Sequence, residues 1–156
     1  MRLLFRQRFS FGFDKFDIYN EAGETVFTVR GRFSFGKKLD IYDRGGNLVG
    51  TLVGKVFTFL PTFEMYIGGR YAGVIQKKMS FMRAHFMVDC NGWCVDGNFW
   101  EYNYHITDFM GQTVATITKE FTWMDTYSLD VYDDANALAV LMIVIAIDAE
   151  KETRNY

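Results

Sequence analysis

The apolar positions of the chain form two different patterns. Up to about residue 131, short segments alternate apolar and polar residues and are rich in Val, Ile, Thr, Tyr and Phe, a pattern typical of β-strands. From Ala135 to Ile147 the chain is instead continuously apolar except for Asn136. The Ala, Leu and Met residues of this run favour a helix, and Asp133 and Asp134 can cap its start. We therefore predict a mainly β protein that ends in an apolar helix over Asp133–Asp148.

The length of the apolar run decides where the helix lies. A helix that is apolar on every side must be buried, either in a protein core or in a membrane. The run has thirteen residues, whereas a membrane span needs roughly 20. We predict a core helix over the alternative of a membrane span, and we expect Asp148 and Glu150 to return the chain to water.

The strand region contains an internal repeat. Each unit begins with an aromatic residue or Met, a hydroxyl residue and an aromatic residue, and the first four units start 24, 24 and 22 residues apart. A second strand signal follows, which is nearly identical in three units: Asp17-Ile18-Tyr19, Asp40-Ile41-Tyr42 and Glu64-Met65-Tyr66. A glycine turn and a β-branched strand complete the unit. The triplets are Phe9-Ser10-Phe11, Phe33-Ser34-Phe35, Phe57-Thr58-Phe59, Met79-Ser80-Phe81 and Phe121-Thr122-Trp123.

The repeat predicts how the strands are arranged. Strands joined by tight glycine turns form an antiparallel meander. The half units at the two chain ends bring the total to about twelve strands, and an N-terminal strand at Leu3–Arg8 can pair with the last strand, Tyr127–Val131. We predict a closed antiparallel barrel filled by the apolar helix. The alternative is an open sheet or sandwich with the helix packed on one face.

The repeated Asp-Ile-Tyr hairpins and the final helix, from Asp133-Asp134-Ala135 to Ile147-Asp148, resemble the tubby C-terminal-like superfamily. Within it the chain is most similar to the LURP-one-related family and more distantly to the phospholipid scramblases. The resemblance spans essentially the whole chain and implies a twelve-stranded barrel around a buried C-terminal helix. In this superfamily the tubby branch binds phosphoinositides and the scramblases are membrane-associated, while the LURP-one-related branch has no settled biochemical activity.

Composition and motifs argue against an enzyme. The chain has 156 residues, of which 49% are apolar, and this suits a single domain over residues 1–156. It contains no Gly-x-Ser-x-Gly, His-Glu-x-x-His or phosphate-loop motif. Cys90 and Cys94, with His85 and His105 elsewhere, are a weak basis for a metal site. We expect two reduced thiols beside a turn, over the alternative of a disulfide across that turn. We predict no catalytic residue, no metal and no cofactor.

Three carboxylates recur at one place in the repeat: Asp17, Asp40 and Glu64. Paired carboxylates can perform acid–base chemistry. Their repetition favours a structural role instead, and we expect them to bind nearby backbone groups of the strands or turns.

The distribution of charge is the main functional signal. The net charge is −2, which argues against nucleic-acid binding. In the repeat scheme, however, one end of the barrel carries the longer connections and 12 of the 17 basic residues. The other end carries Glu21, Glu24, Asp43, Asp89 and Asp108. The basic residues are Arg6, Arg8, Lys15, Arg30, Arg32, Lys37, Lys38, Lys55, Lys77, Lys78, Arg83 and Lys119.

We predict that this basic rim binds anionic lipid headgroups or phosphoinositides. The densest groups, and so the predicted ligand-binding residues, are Arg30, Arg32, Lys37, Lys38, Lys77, Lys78 and Arg83.

Two alternatives remain for the basic residues. They can simply keep the strand ends soluble, or the protein can be a structural scaffold that binds another protein through aromatic residues in the connections, such as Phe35, Phe59, Phe81 and Trp123. The N-terminal segment is charged too often for a signal peptide. We therefore expect a cytoplasmic protein, peripheral to the membrane if the rim binds lipid.

Overall fold

The computed structural model describes residues 1–6, 15–34, 36–55, 58–80, 83–120 and 126–154; the side chains of residues 6, 32–34 and 151–154 are outside this description. Twelve antiparallel strands form one closed barrel, in which each strand pairs with its neighbours in the sequence and β1 also pairs with β12. The closing ladder places Leu3 opposite Leu129 and Phe5 opposite Tyr127. The prediction of a twelve-stranded closed barrel is confirmed, and the open sheet is excluded.

The strands are five to eleven residues long. They are β1 (Arg2–Arg6), β2 (Lys15–Tyr19), β3 (Thr25–Ser34), β4 (Gly36–Tyr42), β5 (Leu48–Gly54), β6 (Thr62–Ile67), β7 (Arg70–Ser80), β8 (Arg83–Val88), β9 (Trp93–Asn98), β10 (Asn103–Thr107), β11 (Thr113–Glu120) and β12 (Thr126–Val131).

The sequence repeat corresponds in the structure to hairpin turns that share one geometry. In the β2–β3, β4–β5 and β10–β11 turns, the residue that precedes the turn accepts a hydrogen bond from a glycine N–H: Gly23, Gly46 and Gly111. These glycines have φ of 79°, 78° and 81°, a conformation that costs glycine little. Each turn is followed by a shift in the strand register, as expected of hairpins that contain a bulge.

The opposite end of the barrel departs from the predicted pattern. We expected long connections there, yet the β3–β4 ladder continues to Ser34 opposite Gly36 and the β7–β8 ladder to Ser80 opposite Arg83. The first two residues of two aromatic triplets, Phe33-Ser34 and Met79-Ser80, thus extend strands, because alternating residues suit a strand as well as a loop. Phe35, Phe57 and Phe81 lie outside the described residues. Phe9–Phe11 and Phe121–Trp123 lie outside the described residues. We call this end of the barrel the connection end and the other the turn end.

The helix fills the barrel as predicted. Asp133 caps a short 3₁₀ turn, Asp134–Asn136, by accepting a hydrogen bond from the Ala135 N–H at 3.0 Å. The helix α1 (Ala137–Arg154) follows, and its residues from Val140 to Ile147 are all buried against the inward side chains of the strands. It starts at the turn end and its last turns lie at the connection end. Among the described residues, no helix is both long and apolar enough to cross a membrane.

The end of the helix differs from the prediction. Asp148 does not return the chain to water: α1 continues to Arg154, and both Ala149 and Glu150 are buried. The physical reason is that the barrel wall supplies polar partners, described below, for carboxylates that the sequence alone would assign to the surface.

The repeated carboxylates have partners on the neighbouring strand. Thr28 Oγ1 donates to Asp17 Oδ1 at 2.8 Å, and Thr51 Oγ1 donates to Asp40 Oδ1 at 2.9 Å. These hydrogen bonds run from side chain to side chain across the strands, whereas we expected bonds to the backbone. In the third unit the position opposite Glu64 is Val74, which has no hydroxyl.

Candidate functional site

The first group of predicted site residues lies on the outer wall of β2, β3 and β4. Lys15 is directly opposite Arg30, and Arg32 is directly opposite Lys38. Lys15, Arg30 and Lys38 point outward, since the alternate residues Val29, Leu39 and Ile41 are buried in the barrel. Lys15 and Arg30 are exposed and Lys38 is half-buried; the side chain of Arg32 lies outside the described residues. We call Lys15, Arg30, Arg32 and Lys38 the first basic patch.

Two neighbours hold the first basic patch in place. Arg30 is opposite Asp40 on β4, and its guanidinium lies 5.3 Å from the centre of the Tyr42 ring, within the range of a cation–π interaction. Asp40 is buried on this outer wall. The patch is thus a set of cations around one covered carboxylate. Like charges directly opposite each other across strands repel and are destabilising.

The second group lies on β7 and β8. Lys78 is opposite His85, and Ser80 is opposite Arg83, which makes Lys78 and Arg83 diagonal neighbours about 7–8 Å apart at their backbones. Lys78 and Arg83 are exposed and His85 is half-buried. We call Lys78, Arg83 and His85 the second basic patch.

The two patches do not form one pocket. Strands β5 and β6 separate β4 from β7, a distance of about 14 Å around the barrel wall at the usual strand spacing. Between them lies an ion pair in which Lys55 Nζ is 2.6 Å from Glu64 Oε1.

Glu64 also accepts a hydrogen bond from Tyr66 Oη at 2.8 Å. The hydrogen bonds from Lys55 and then Tyr66 lower the pKa of Glu64, and the hydrogen bond to Glu64 raises the pKa of Tyr66.

Two of the predicted residues face the barrel interior. Strand alternation puts Lys37 on the lumen side of β4, beside Leu39. Lys77 is only 3% exposed, and its Nζ lies 2.8 Å from Oε1 of Glu150 on α1, which is 5% exposed. Lys77 therefore binds the helix of its own chain. Its neighbour Lys78 points outward, a distinction that follows from strand alternation once the register is known.

A second polar contact holds the same end of the helix. Tyr102 Oη donates to Asp148 Oδ1 at 2.8 Å, and the rings of Tyr102 and Tyr127 stack with centroids 4.4 Å apart. Tyr104 is buried nearby, and burial followed by the charge of Asp148 raises the pKa of its hydroxyl well above the usual value. These groups anchor the helix in the barrel.

Neither cysteine has the environment of a nucleophile. Cys94 Sγ donates to Asp96 Oδ2 at 3.2 Å, and burial followed by this carboxylate raises the pKa of the thiol to about 11. Burial and then the charge of Asp89 raise the pKa of Cys90. Reactive cysteines have a lowered pKa and an electropositive environment. Among the described residues, no cluster of His, Cys, Asp or Glu has the arrangement of a metal site.

Lys15 and His85 belong to the patches but were absent from the predicted ligand-binding set. Lys15 stands alone in the sequence between Asp14 and Phe16, and only its pairing with Arg30 brings it to the patch. A correct strand register derived from the repeat would have identified it.

Comparison with known proteins agrees with the fold and the repeat. The family model described as LURP-one-related matches residues 1–148. The uncharacterized protein YxjI of Bacillus subtilis is 30% identical over 147 residues, which cover 93% of this chain and 91% of YxjI. An X-ray structure of a protein from Arabidopsis thaliana superposes with a TM-score of 0.66 at 18% identity, over 94% of this chain and 90% of the other. The chain therefore belongs to the LURP-one-related family.

Proposed function

We propose that this barrel is a non-enzymatic module that binds anionic lipid headgroups, phosphoinositides among them, through the first basic patch. The observation that carries the proposal is the pairing of like charges, Lys15 with Arg30 and Arg32 with Lys38, on one outer face of the sheet. A headgroup phosphate that approaches this face would meet several cations at once and relieve their mutual repulsion.

Charge elsewhere on the barrel supports the binding of an anionic surface at the connection end. The turn end carries many exposed or half-buried carboxylates and few cations, so an anionic surface would be repelled there and attracted to the connection end. Each basic residue near an anionic membrane contributes on the order of 1 kcal/mol. The carboxylates of the turn end are Glu21, Glu24, Asp43, Asp89, Asp108, Asp133 and Asp134.

The test is co-sedimentation with phosphatidylcholine vesicles that contain phosphatidylserine or a phosphoinositide. The Arg30→Gln/Lys38→Gln variant should bind about 30-fold more weakly, which corresponds to two lost contacts of about 1 kcal/mol each. Binding of the wild type should fall with added salt, because the contacts are electrostatic. Equal recovery of the wild type with neutral and anionic vesicles at low salt would refute the proposal.

The matched control removes the same charge from the other end of the barrel. Arg44→Gln/Arg70→Gln neutralises two exposed arginines of the turn end and should leave vesicle binding unchanged. If this control weakens binding as much as Arg30→Gln/Lys38→Gln does, the effect is one of net charge and the first basic patch is not a site.

A protein-binding scaffold is the second candidate function. It is favoured by exposed apolar side chains in and beside the turns of the acidic end, including Phe109, Met110 and Tyr132. Sedimentation velocity over a range of concentrations tests self-association through this surface. A Phe109→Ser/Met110→Ser variant that remains monomeric where the wild type associates would support it.

A further inference from the structure

Three apolar side chains project from the connection end. Phe59, in the β5–β6 connection, is fully exposed; Met79, at the end of β7, is 53% exposed; and Trp100, in the β9–β10 connection, is 58% exposed. Exposed apolar groups near one another are uncommon on soluble proteins unless they bind something. They belong to three consecutive connections at this end of the barrel. Neighbouring connections are two strands apart, or about 10 Å at the usual strand spacing.

Phe59 and Trp100 lie beside residues that backbone hydrogen bonds hold in place. The Lys55 N–H donates to the Thr62 carbonyl at 2.9 Å, and the Lys77 N–H donates to the Pro61 carbonyl at 3.0 Å, so Pro61 and Thr62, which closely follow Phe59, are bound to both neighbouring strands. The turn that carries Trp100 is held by the Glu101 N–H, which donates to Asn98 Oδ1 at 3.1 Å. Side chains presented this way lose little conformational freedom when they bind a surface.

The charges around the three side chains select the kind of surface. The second basic patch flanks Met79 on β7 and β8, between the connections that carry Phe59 and Trp100. Several carboxylates of the described residues at this end already have partners: Glu64 is paired with Lys55, Glu150 is paired with Lys77, and Asp148 accepts a hydrogen bond from Tyr102. Glu101 and Glu120 lie at the same end and oppose an anion. Exposed aromatic residues at the level of lysines and arginines match the interfacial zone of an anionic bilayer, where Trp is enriched and cations meet headgroups.

The turn end differs from the connection end in the charge around its exposed apolar residues. It also exposes apolar groups, Phe109 and Met110, but they are surrounded by the carboxylates of that end. An anionic bilayer would be repelled there. The same chain therefore offers two apolar surfaces of opposite charge, and the acidic one is a matched control for the basic one.

We infer that the barrel docks on an anionic bilayer with its connection end, and that Phe59, Met79 and Trp100 enter the interfacial zone while Lys78 and Arg83 contact headgroup phosphates. This inference rests on the proposed function and adds an orientation and an apolar contribution to it. A barrel held by the first basic patch alone would bind by electrostatics and would leave these three side chains in water.

The test compares two variants on vesicles of phosphatidylcholine with phosphatidylserine. Phe59→Ser/Met79→Ser/Trp100→Ser should lower the partition coefficient at least about tenfold, because each apolar group removed from water contributes to binding. Phe109→Ser/Met110→Ser should leave it unchanged. The binding that the wild type retains at high salt should be missing from the triple variant, since apolar contacts are not screened.

Fluorescence gives an independent measurement of depth. The measurement uses a Trp123→Phe background, so that Trp100 is the tryptophan under test at this end. Lipids brominated near the headgroup end of their acyl chains should quench this protein on anionic vesicles, and the further change Trp100→Phe should remove that quenching while it preserves binding. Trp93 is buried and stays unaffected.

The outcomes separate the inference from the proposed function. If the wild type does not bind anionic vesicles, both fail. A second outcome is that the wild type binds, that Arg30→Gln/Lys38→Gln weakens vesicle binding, and that the triple serine variant binds as well as the wild type. In that case only the end-on docking is overturned. If the triple serine variant abolishes self-association of the wild type in solution and leaves vesicle binding intact, the occupant of this surface is a second copy of the chain and the inference is likewise overturned.

Discussion

The buried ion pair between Lys77 and Glu150 shows how one residue can be read wrongly from sequence. In the sequence Lys77 is one of two adjacent lysines and Glu150 belongs to a charged tail, so each suggests a solvated surface. In the structure they meet at 2.8 Å inside the barrel mouth. A buried pair of this kind contributes little net stability compared with apolar residues, but either partner alone is a costly buried charge.

Removing one partner of this pair should therefore destabilise the protein more than removing both. Lys77→Met should lower the free energy of unfolding by about 3–5 kcal/mol, because buried Glu150 loses its ion pair with Lys77. Lys77→Met/Glu150→Leu should recover most of that loss. Urea denaturation of the two single variants and the double variant measures the coupling. Additive effects would contradict the buried pair, and Lys78→Met, on the outer wall, should change stability by less than about 0.5 kcal/mol.

Glu64 makes a prediction about pH. Its folded pKa lies below its ordinary value of 4.5, owing first to the hydrogen bond from Lys55. Ionised Glu64 therefore adds stability above its unfolded pKa, and this contribution is lost as the pH falls through the lower folded pKa. The difference in unfolding free energy between wild type and Glu64→Gln should shrink from pH 6 toward pH 3. Asp43 and Glu24, whose pKa values are also lowered, titrate in both proteins and cancel. A difference independent of pH would contradict the prediction.

At the scale of elements, nearby residues specify the repeated turns, whereas tertiary contacts specify the position of the helix. The repeated turns are local: a polar residue, a glycine at positive φ and a bulge recur because neighbouring residues suffice to specify a hairpin. The helix has almost no polar face, so its position depends on what surrounds it. Gly50 on β5 illustrates the fit, since a Cβ there would come within 3.2 Å of Met142 Sδ on the helix.

Substitutions along the helix should show that a buried charge disrupts folding far more than a small loss of packing does. Val140→Asp should abolish soluble, cooperative folding, because the side chain is completely buried and a charge there has no partner. Ile143→Val should cost only about 0.5–1.5 kcal/mol, as expected for the loss of one methyl group. Both are measured by soluble yield and thermal unfolding. The control is Ala135→Asp, at the exposed start of the helical segment, which should fold normally. A soluble, cooperatively folding Val140→Asp protein would mean that the helix is not the core.

At the scale of the molecule, closure makes the barrel and its helix one unit. The pairing of β1 with β12 joins the two ends of the chain, and Phe5 packs against both Phe16 of β2 and Tyr127 of β12. A closed barrel has no sheet edge, and the helix cannot leave it without loss of the inward contacts of many strands. Folding must therefore bring distant segments together, which is slow compared with helical bundles.

Native-state hydrogen exchange tests this cooperativity. The amides of Val140–Ile147 should exchange only through global unfolding, with the same free energy as the amides of Ile117 and Leu129. Measurements across low denaturant concentrations should give one common isotherm. Helix amides that exchange by a lower-energy opening would show that the helix can leave a barrel that stays folded.

Features that depend on residues close together in the chain could be predicted from the amino-acid sequence. Alternation and glycine turns predicted twelve strands, the unbroken apolar run predicted a central helix, and the repeat predicted closure. These predictions succeeded because strand period, turn chemistry and apolar length are local properties. The clustering of basic residues was also evident, although its role in binding stays a prediction.

The face of the barrel that each charged residue occupies depends instead on how the strands pair in three dimensions. A shift of one residue in strand register reverses the inward and outward faces, so adjacent Lys77 and Lys78 could not be separated without the ladder between β7 and β8. The same holds for Lys15, which joins Arg30 only through pairing, and for Glu150, whose burial depends on a cation 73 residues away in the chain. Partners distant in sequence set the environment of a charge, and this is why the fold could be derived from the sequence while the site could be derived only in part.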